Sequence, residues 1–244
     1  MFRNRVSLYS IISLSLFFAS CQKEDITGTS DYQTLGVSAH DLLTAAPYSQ
    51  LQIEIHYMPG QAPDASVSAA LVSFLNTYIN KPSGIQVSQR EIPASSKAVL
   101  TLNEIADIEK KYRSSFTAYH LIAVHILITD GSYQASDIFA TSYWNTSFCL
   151  FGKTINESSG GPGQVSRTTL LTNIFEHEFG HLLGLVNQGS PMQKNHRDTD
   201  NGAHCDNTNC LMYFELETSG FNGNNIVPLL DNNCLADLKA NGGK

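Results

Sequence analysis

The chain carries two kinds of apolar pattern, one with a period of two and one with the period of an α-helix. Leu51, Ile53 and Ile55 alternate with polar residues, which predicts a β-strand. The long apolar run at 118–129 is typical of a strand at the centre of a sheet. Along the chain, the patterns predict a strand at 51–57, a helix at 66–79, a strand from 85, a helix at 101–115 and a strand at 118–129. One or two further strands are predicted at 138–155.

A third helical pattern encloses the sequence His177-Glu178-Phe-Gly-His181. Apolar residues flank it, as a buried helix requires, and Gly184 is placed to end the helix with a positive φ. Two histidines four residues apart project from one face of a helix, so their imidazoles can bind one Zn²⁺. Glu178 is close enough to reach a metal-bound water without binding the metal. This is the His-Glu-x-x-His arrangement of zinc-dependent peptidases.

The motif predicts a zinc-dependent endopeptidase that acts on proteins or peptides. A zinc ion held by three histidines leaves a position for water and lowers the pKa of that water towards 7. Glu178 would take a proton from the water and pass it to the leaving amine. Two alternatives stay open: a zinc hydrolase of non-peptide bonds, and a surface binding lipoprotein whose metal is structural or absent.

The third zinc ligand is not fixed by this motif. In the metzincin pattern, His-Glu-x-x-His-x-x-Gly-x-x-His, Gly184 fits but Asn187 stands where the last histidine belongs. An amide oxygen is a poor zinc ligand beside two imidazoles. Two later histidines, His196 and His204, are the other candidates.

The region around His204 resembles the archaemetzincins. There the third zinc-binding histidine is followed by Cys, four residues and Cys-x-Met, and here His204-Cys205, four residues and Cys210-Leu-Met212 stand in that order. The resemblance implies that His204 is the third ligand and Met212 the methionine of the turn below the metal. This chain departs from the pattern by 19 residues between Gly184 and His204, where the family has two.

The resemblance also implies a fold. It is an α+β, zincin-like domain with a twisted mixed sheet, two backing helices, the active-site helix and a small irregular C-terminal subdomain. The segment 142–152 would be the edge strand that binds an extended substrate through its free backbone groups. The family's later Cys-x-x-Cys pair is missing, since only Cys234 is present, and this disfavours a second, cysteine-bound zinc.

The start of the chain has the pattern of a secretory signal, with Arg3 and Arg5 before an apolar run. The small residues before Cys21 resemble the lipobox of bacterial lipoproteins, which implies cleavage after residue 20 and lipid on Cys21. The resemblance places the protein in the bacterial cell envelope, anchored to the outer membrane. The acidic residues and lysine that follow resemble a tag for its outer surface. We expect a flexible tether over 21–46 and a peptidase domain over 47–244, divided near residue 184.

The other four cysteines suggest two disulfides, since an exported chain is exposed to oxidation. Their connectivity is open; Cys205 with Cys210 would close a small loop, and Cys149 with Cys234 would tie the middle of the chain to its end.

Composition narrows the function further. The 244 residues are 42% hydrophobic, which is enough for a core, and the net charge is −7. No cluster of lysine and arginine appears after the leader, so nucleic-acid binding is disfavoured. We expect a monomer.

Overall fold

A computed structural model describes residues 29–135, 137–217 and 226–244. Within these ranges, no helix is long and apolar enough to cross a membrane. The predicted signal sequence and Cys21 lie outside the described residues, so the structure carries no information on them.

A five-stranded mixed sheet forms the centre of the molecule. Its strands are β1 (Gln50–Tyr57), β2 (Ile85–Glu91), β4 (Leu121–Thr129), β6 (Ala140–Trp144) and β7 (Ser147–Phe151), in the order β2-β1-β4-β7-β6. All neighbouring strands are parallel except β6, which runs antiparallel to β7 at the edge. A separate pair, β3 (Val99–Leu100) and β5 (Ser132–Tyr133), lies outside this sheet.

Six α-helices accompany the strands in the described part of the chain. They are α1 (Ala39–Leu43), α2 (Ala65–Tyr78), α3 (Leu102–Tyr112), α4 (Gly152–Glu157), α5 (Arg167–Leu182) and α6 (Asn232–Ala240), with short 3₁₀ turns at Thr29–Asp31 and Phe214–Glu217. The α+β prediction is confirmed, and its two early helices begin and end within three residues of the predicted limits.

The sheet has a different core on each face. On one face, α2 and α5 pack against alternate residues of the strands, such as Ile53, Ile126 and Leu150. On the other face, a smaller cluster joins Ile105 of α3 to Leu127 and to the β7 residues that point that way. The period of two seen in the sequence therefore sends successive side chains into two separate cores.

The predicted edge strand over 142–152 is wrong in its limits. This segment belongs to a hairpin in which β6, Ala140–Trp144, is the edge and β7 lies inside the sheet, while Gly152 begins α4. The register shifts between Ser142 and Trp144, which makes Tyr143 the extra residue of a β-bulge. A single apolar run could not distinguish one strand from two, because both strands of the hairpin are largely apolar.

The predicted tether is also wrong for the residues that the structure describes. Asp31 is fully buried, accepts hydrogen bonds from Thr117 and lies 3.3 Å from the guanidinium of Arg113. Further along, Leu42 and Leu43 of α1 belong to the main core. The described part of this segment therefore packs with the domain, because it satisfies its charges and buries its few apolar side chains against the sheet.

Candidate metal centre and catalytic base

Helix α5 presents the motif residues from a buried position. Ser166 caps its N-terminus by accepting a hydrogen bond from Thr169, and the helix ends just before Gly184, which has φ of 78°. His177 and His181 lie on one face of this helix, with their Nε2 atoms 3.1 Å apart. Two nitrogens bound tetrahedrally to one zinc lie about 3.3 Å apart, given Zn–N bonds of about 2.0–2.1 Å.

His204 joins this pair from a distant part of the chain. One nitrogen from each of the three rings lies within 4.8 Å of the others, and the ring of His204 is 5.3 Å from His177 and 5.1 Å from His181. A short hairpin carries His204, held by the pairing of Arg197 with Cys205 and by a hydrogen bond from Asp198 N to His204 O. The 19 residues between Gly184 and His204 thus form a loop that returns His204 to the helix.

Each of these imidazoles has a polar partner on its Nδ1 side. His177 is 2.6 Å from the carbonyl of Leu211, and His204 is 2.6 Å from the carbonyl of Asn201. His181 is 3.1 Å from Oε1 of Gln188. An Nδ1–H donated to oxygen fixes the tautomer that leaves Nε2 to bind a metal, as is usual for zinc-binding histidines. The three side chains therefore fit a zinc ion.

Glu178 is held beside this centre by the edge strand. The hydroxyl of Ser142 in β6 donates a 2.6 Å hydrogen bond to Glu178 Oε2, and Glu178 is fully buried. Ser142 was missed by sequence reasoning as a partner of the motif. Only its place in the predicted edge strand was a signal, and nothing local connects it to a residue 36 positions away.

Met212 packs directly below the motif helix. It is fully buried, and a Cβ added at Gly180 would overlap its sulfur atom. Its carbonyl accepts a hydrogen bond from the backbone N–H of Cys205, next to His204. The glycine in the motif therefore allows the methionine turn to approach the helix.

Asn187 lies outside the centre. It is exposed, with φ of 64°, a left-handed conformation that asparagine tolerates better than most residues. The next residue, Gln188, faces His181 instead. The chain thus turns away from the three imidazoles after the helix, and from this turn the side-chain oxygen of Gln188 contacts His181.

His196 belongs to a different cluster, together with Cys205, Cys210 and Cys234, which we call the thiol cluster. All four residues are at most 1% exposed. Cys210 Sγ lies 3.6 Å from Cys234 Sγ, and His196 Nδ1 lies 3.3 Å from Cys205 Sγ. Hydrogen bonds from the neighbouring thiols of Cys205 and Cys234 lower the pKa of Cys210 to about 4.

Neither predicted disulfide is present. All four cysteines of the described residues are free thiols. Cys149 packs in the smaller core beside α3 and Cys234 in the main core, so this pairing is wrong. Burial raises the pKa of Cys149, which keeps it an inert thiol.

A third group, formed by Glu54, His56 and His125, is also buried. His56 Nδ1 lies 3.0 Å from His125 Nε2, while Arg90 donates to His56 Nε2 at 3.1 Å. Both nitrogens of His56 are thus engaged, and a guanidinium cation stands where a metal would have to approach. This group is a buried hydrogen-bonded network.

A cleft of about 190 Å³ opens beside the three histidines. Its walls come from β6, from the hairpin before His204 and from the N-terminal segment, and its lining residues are Leu35, Thr141, Ser142, His181, Gln188, Asn201, Gly202, Ala203 and His204. The edge strand and two of the three histidines, His181 and His204, therefore share one opening.

Comparison with known proteins bears on the fold. No protein-family model and no curated protein matches the chain. Among solved structures, the archaemetzincin of Methanopyrus kandleri is similar over 79% of this chain and 96% of its own, with 15% identity and a TM-score of 0.52. The chain has an archaemetzincin-like fold.

A second solved structure, metalloproteinase-II from Bacteroides fragilis, is more distant. It matches 88% of this chain at 14% identity, with a TM-score of 0.42, and this chain spans 60% of its length. At these identities the comparison concerns the fold alone. The chemistry of the three-histidine centre therefore depends on this chain's own residues.

Proposed function

We propose that this protein is a zinc-dependent endopeptidase, with His177, His181 and His204 as the metal ligands. The observation that carries the proposal is that three imidazoles, each with a polar partner on its second nitrogen, meet beside a carboxylate, and that two of these imidazoles line an open cleft. Zinc held in this way would acidify a water molecule and polarise a substrate carbonyl.

Glu178 is the proposed general base. The hydrogen bond from Ser142 to Oε2 holds the carboxylate in place beside the three imidazoles, where it would accept the proton of the attacking water. The same carboxyl group then returns the proton to the amine that leaves. The site requires no other titrating side chain for this cycle.

The edge strand β6 is the proposed substrate platform. Its outer backbone groups can pair with an extended peptide, because β6 has a neighbour on one side only within the described sheet. Since Ser142 lies on this strand and contacts Glu178, a peptide bound along β6 would pass the base. This geometry favours a peptide substrate over a compact non-peptide ester.

Substitution of Glu178 by Gln tests the proposed function. We expect the variant to keep its zinc and fold but to hydrolyse denatured casein about 10²–10⁴-fold more slowly, because an amide cannot accept the proton. Glu176→Gln is the matched control, since Glu176 lies on the same helix but beside Tyr78 of α2.

Three results would contradict the proposal: casein cleavage by Glu178→Gln at the parent rate, cleavage that survives removal of zinc by a chelator, and hydrolysis of small esters without any of peptides. The last result would assign the site to a non-peptide hydrolase. A site that binds zinc but cleaves nothing would leave the alternative of a binding lipoprotein.

We also propose that Cys21 anchors the protein to the outer membrane through lipid. The support is the sequence pattern before Cys21. Cys21→Ser should move the protein from the membrane fraction to the soluble fraction, and mass spectrometry of the parent should find acyl chains on Cys21. Unchanged fractionation together with an unmodified Cys21 would contradict the anchor.

A further inference from the structure

A second cavity, of about 570 Å³, lies next to the cleft beside the three histidines. We call it the aromatic pocket, and its lining residues are Tyr32, Gln33, Thr34, Leu35, Val37, Tyr143 and Trp144. Leu35 lines both cavities. The edge strand β6 also passes from one to the other, since Thr141 and Ser142 line the cleft and the next two residues line the pocket. A peptide bound along β6 past the base would therefore reach the aromatic pocket.

The N-terminal segment forms the other wall of this pocket and is fixed at both ends. In the turn after β6, the backbone N–H of Asn145 donates to the carbonyl of Gln33 at 3.0 Å, and Asn145 Oδ1 accepts from Gln33 N at 2.8 Å. Gly36, with φ of 88°, lies so close to the next turn that a Cβ there would overlap the carbonyl of Gln188. Since the side chain of Gln188 contacts His181, the segment spans from the end of the edge strand to the histidine centre.

The aromatic rings of the pocket are held from behind by a buried ion pair. The hydroxyl of Tyr143 donates a 2.5 Å hydrogen bond to Glu109, and Glu109 pairs with Arg113 at 2.7 Å. The guanidinium of Arg113 lies 5.7 Å from the centre of the Tyr32 ring, and the ring of Trp144 packs edge-on against the same tyrosine at 6.0 Å. These contacts fix the rings before a ligand arrives, so that binding requires little ordering of side chains.

The chemistry of the pocket favours an apolar ligand. Among the described residues that line it, none has a charged side chain. The charges of Glu109 and Arg113 lie behind the rings and are paired with each other. A charged ligand would therefore lose its hydration in the pocket without gaining a partner ion. Large apolar side chains have no such cost, and an aromatic ring gains further from edge-on or offset contact with the rings of the wall.

We propose that the aromatic pocket is a specificity subsite for a large apolar side chain of the substrate, with aromatic residues preferred to aliphatic ones. The inference rests on the proposed peptidase function, because it names the kind of peptide which that site accepts. Ser142 contacts the base, and Trp144 follows two residues later, about 7 Å further along the strand. The apolar residue of the substrate should thus lie about two residues from the cleaved bond.

The cleavage test uses the full-length chain loaded with zinc, and blocked nonapeptides of alanine and serine that carry Phe, Leu, Ala or Glu at the central position. We expect kcat/KM for the Phe peptide to exceed that for the Ala peptide about 10–100-fold, because the pocket removes a large apolar side chain from water. The Leu peptide should lie between them, and the Glu peptide should be cleaved most slowly. Mass spectrometry of the products should place the cut about two residues from Phe, on one side only.

Two variants of the pocket test its role in this preference. Val37→Arg leaves the core intact, since Val37 is 59% exposed, and its cation at the rim should make the Glu peptide a better substrate than the Ala peptide. Val99→Arg is the matched control, because Val99 is 53% exposed and lines neither the pocket nor the cleft; it should keep the order of the parent. Trp144→Ala should reduce the preference for Phe over Ala about tenfold.

Trp144 is the only tryptophan of the chain, so its fluorescence reports on the aromatic pocket without any need for catalysis. In Glu178→Gln, which should bind peptides without cleaving them, the Phe peptide should quench or shift the emission at concentrations where the Ala peptide has no effect. If the parent chain cleaved no peptide but its emission responded to the Phe peptide, the pocket would be supported and the proposed endopeptidase contradicted.

Three results would overturn the subsite, and the first of them would leave the proposed peptidase standing. They are equal cleavage of the Phe, Ala and Glu peptides by the parent, an unchanged emission of Trp144 with the Phe peptide, and the parent's order of peptides in Val37→Arg. A change of emission on dilution of the protein alone would assign the pocket to a contact between two copies of the chain, which would also overturn the subsite.

Discussion

The two clusters on either side of residues 204 and 205 are built from similar atoms but in different surroundings. The three histidines meet at a cleft, and two of them come from a single helix. In the thiol cluster all four donors come from loops or the first turn of α6 and are at most 1% exposed. One cluster is open and rigidly supported, and the other is closed.

This difference bears on the proposed catalytic role. A catalytic zinc needs a position for water or substrate, which three ligands beside a cleft provide. The thiol cluster is buried in the core and offers a substrate no access. Three imidazoles and a glutamate beside the cleft therefore favour catalysis at the histidine centre.

The largest expected effect is on activity and comes from His204→Ala. Loss of the third imidazole should lower casein hydrolysis by at least about 10³-fold, because the metal contributes several kcal/mol to the transition state. His196→Ala should lower the activity less but should reduce the midpoint of thermal unfolding more, since it leaves the buried carboxylate of Asp237 without its imidazole partner. Activity assays and thermal melts of both variants measure the two effects. If His196→Ala lost more activity than His204→Ala, the roles assigned to the two histidines would have to be exchanged.

A smaller effect is expected from Gly180→Ala. The new Cβ would overlap the sulfur of Met212. We expect unfolding to become easier by about 1–2 kcal/mol, because overpacking outweighs the better helix propensity of alanine. Chemical denaturation measures the change, and the additional substitution Met212→Ala should remove part of the Gly180→Ala cost. Strict additivity in this double-mutant cycle would mean that the methionine does not lie against the helix.

The smallest effect on activity should come from Ser142→Ala. Without the hydroxyl at 2.6 Å from Glu178 Oε2, the carboxylate loses one hydrogen bond worth about 1.5 kcal/mol or more. We expect kcat to fall about tenfold with little change in KM or in zinc content. Thr141→Ala, on the same strand and the same cleft, is the control. If the zinc content of Ser142→Ala changed instead, Ser142 would support the metal centre rather than position the Glu178 carboxylate.

Much of the fold could be predicted because its signals are local. The alternation from Leu51 to Ile55 and the helical period of α3 each depend on neighbours a few residues away. The start of α3 also has a local signal, because Thr101 and Glu104 stand three residues apart and form a capping box. The prediction of a flexible tether was wrong for the described residues because the partners of Asp31 are distant in sequence. Thr117, for example, stands 86 positions away in the chain.

The sequence alone determined the half of the histidine centre that lies on one helix. The spacing of His177, Glu178 and His181 is a property of the α-helix, and Gly184 ends that helix for a local reason. The tertiary structure decided which later residues join them: His204 at the open centre, His196 among the thiols, and Ser142 against the base. These residues are far apart in the sequence and meet only in the folded chain. No local hydrophobic pattern could therefore predict these contacts.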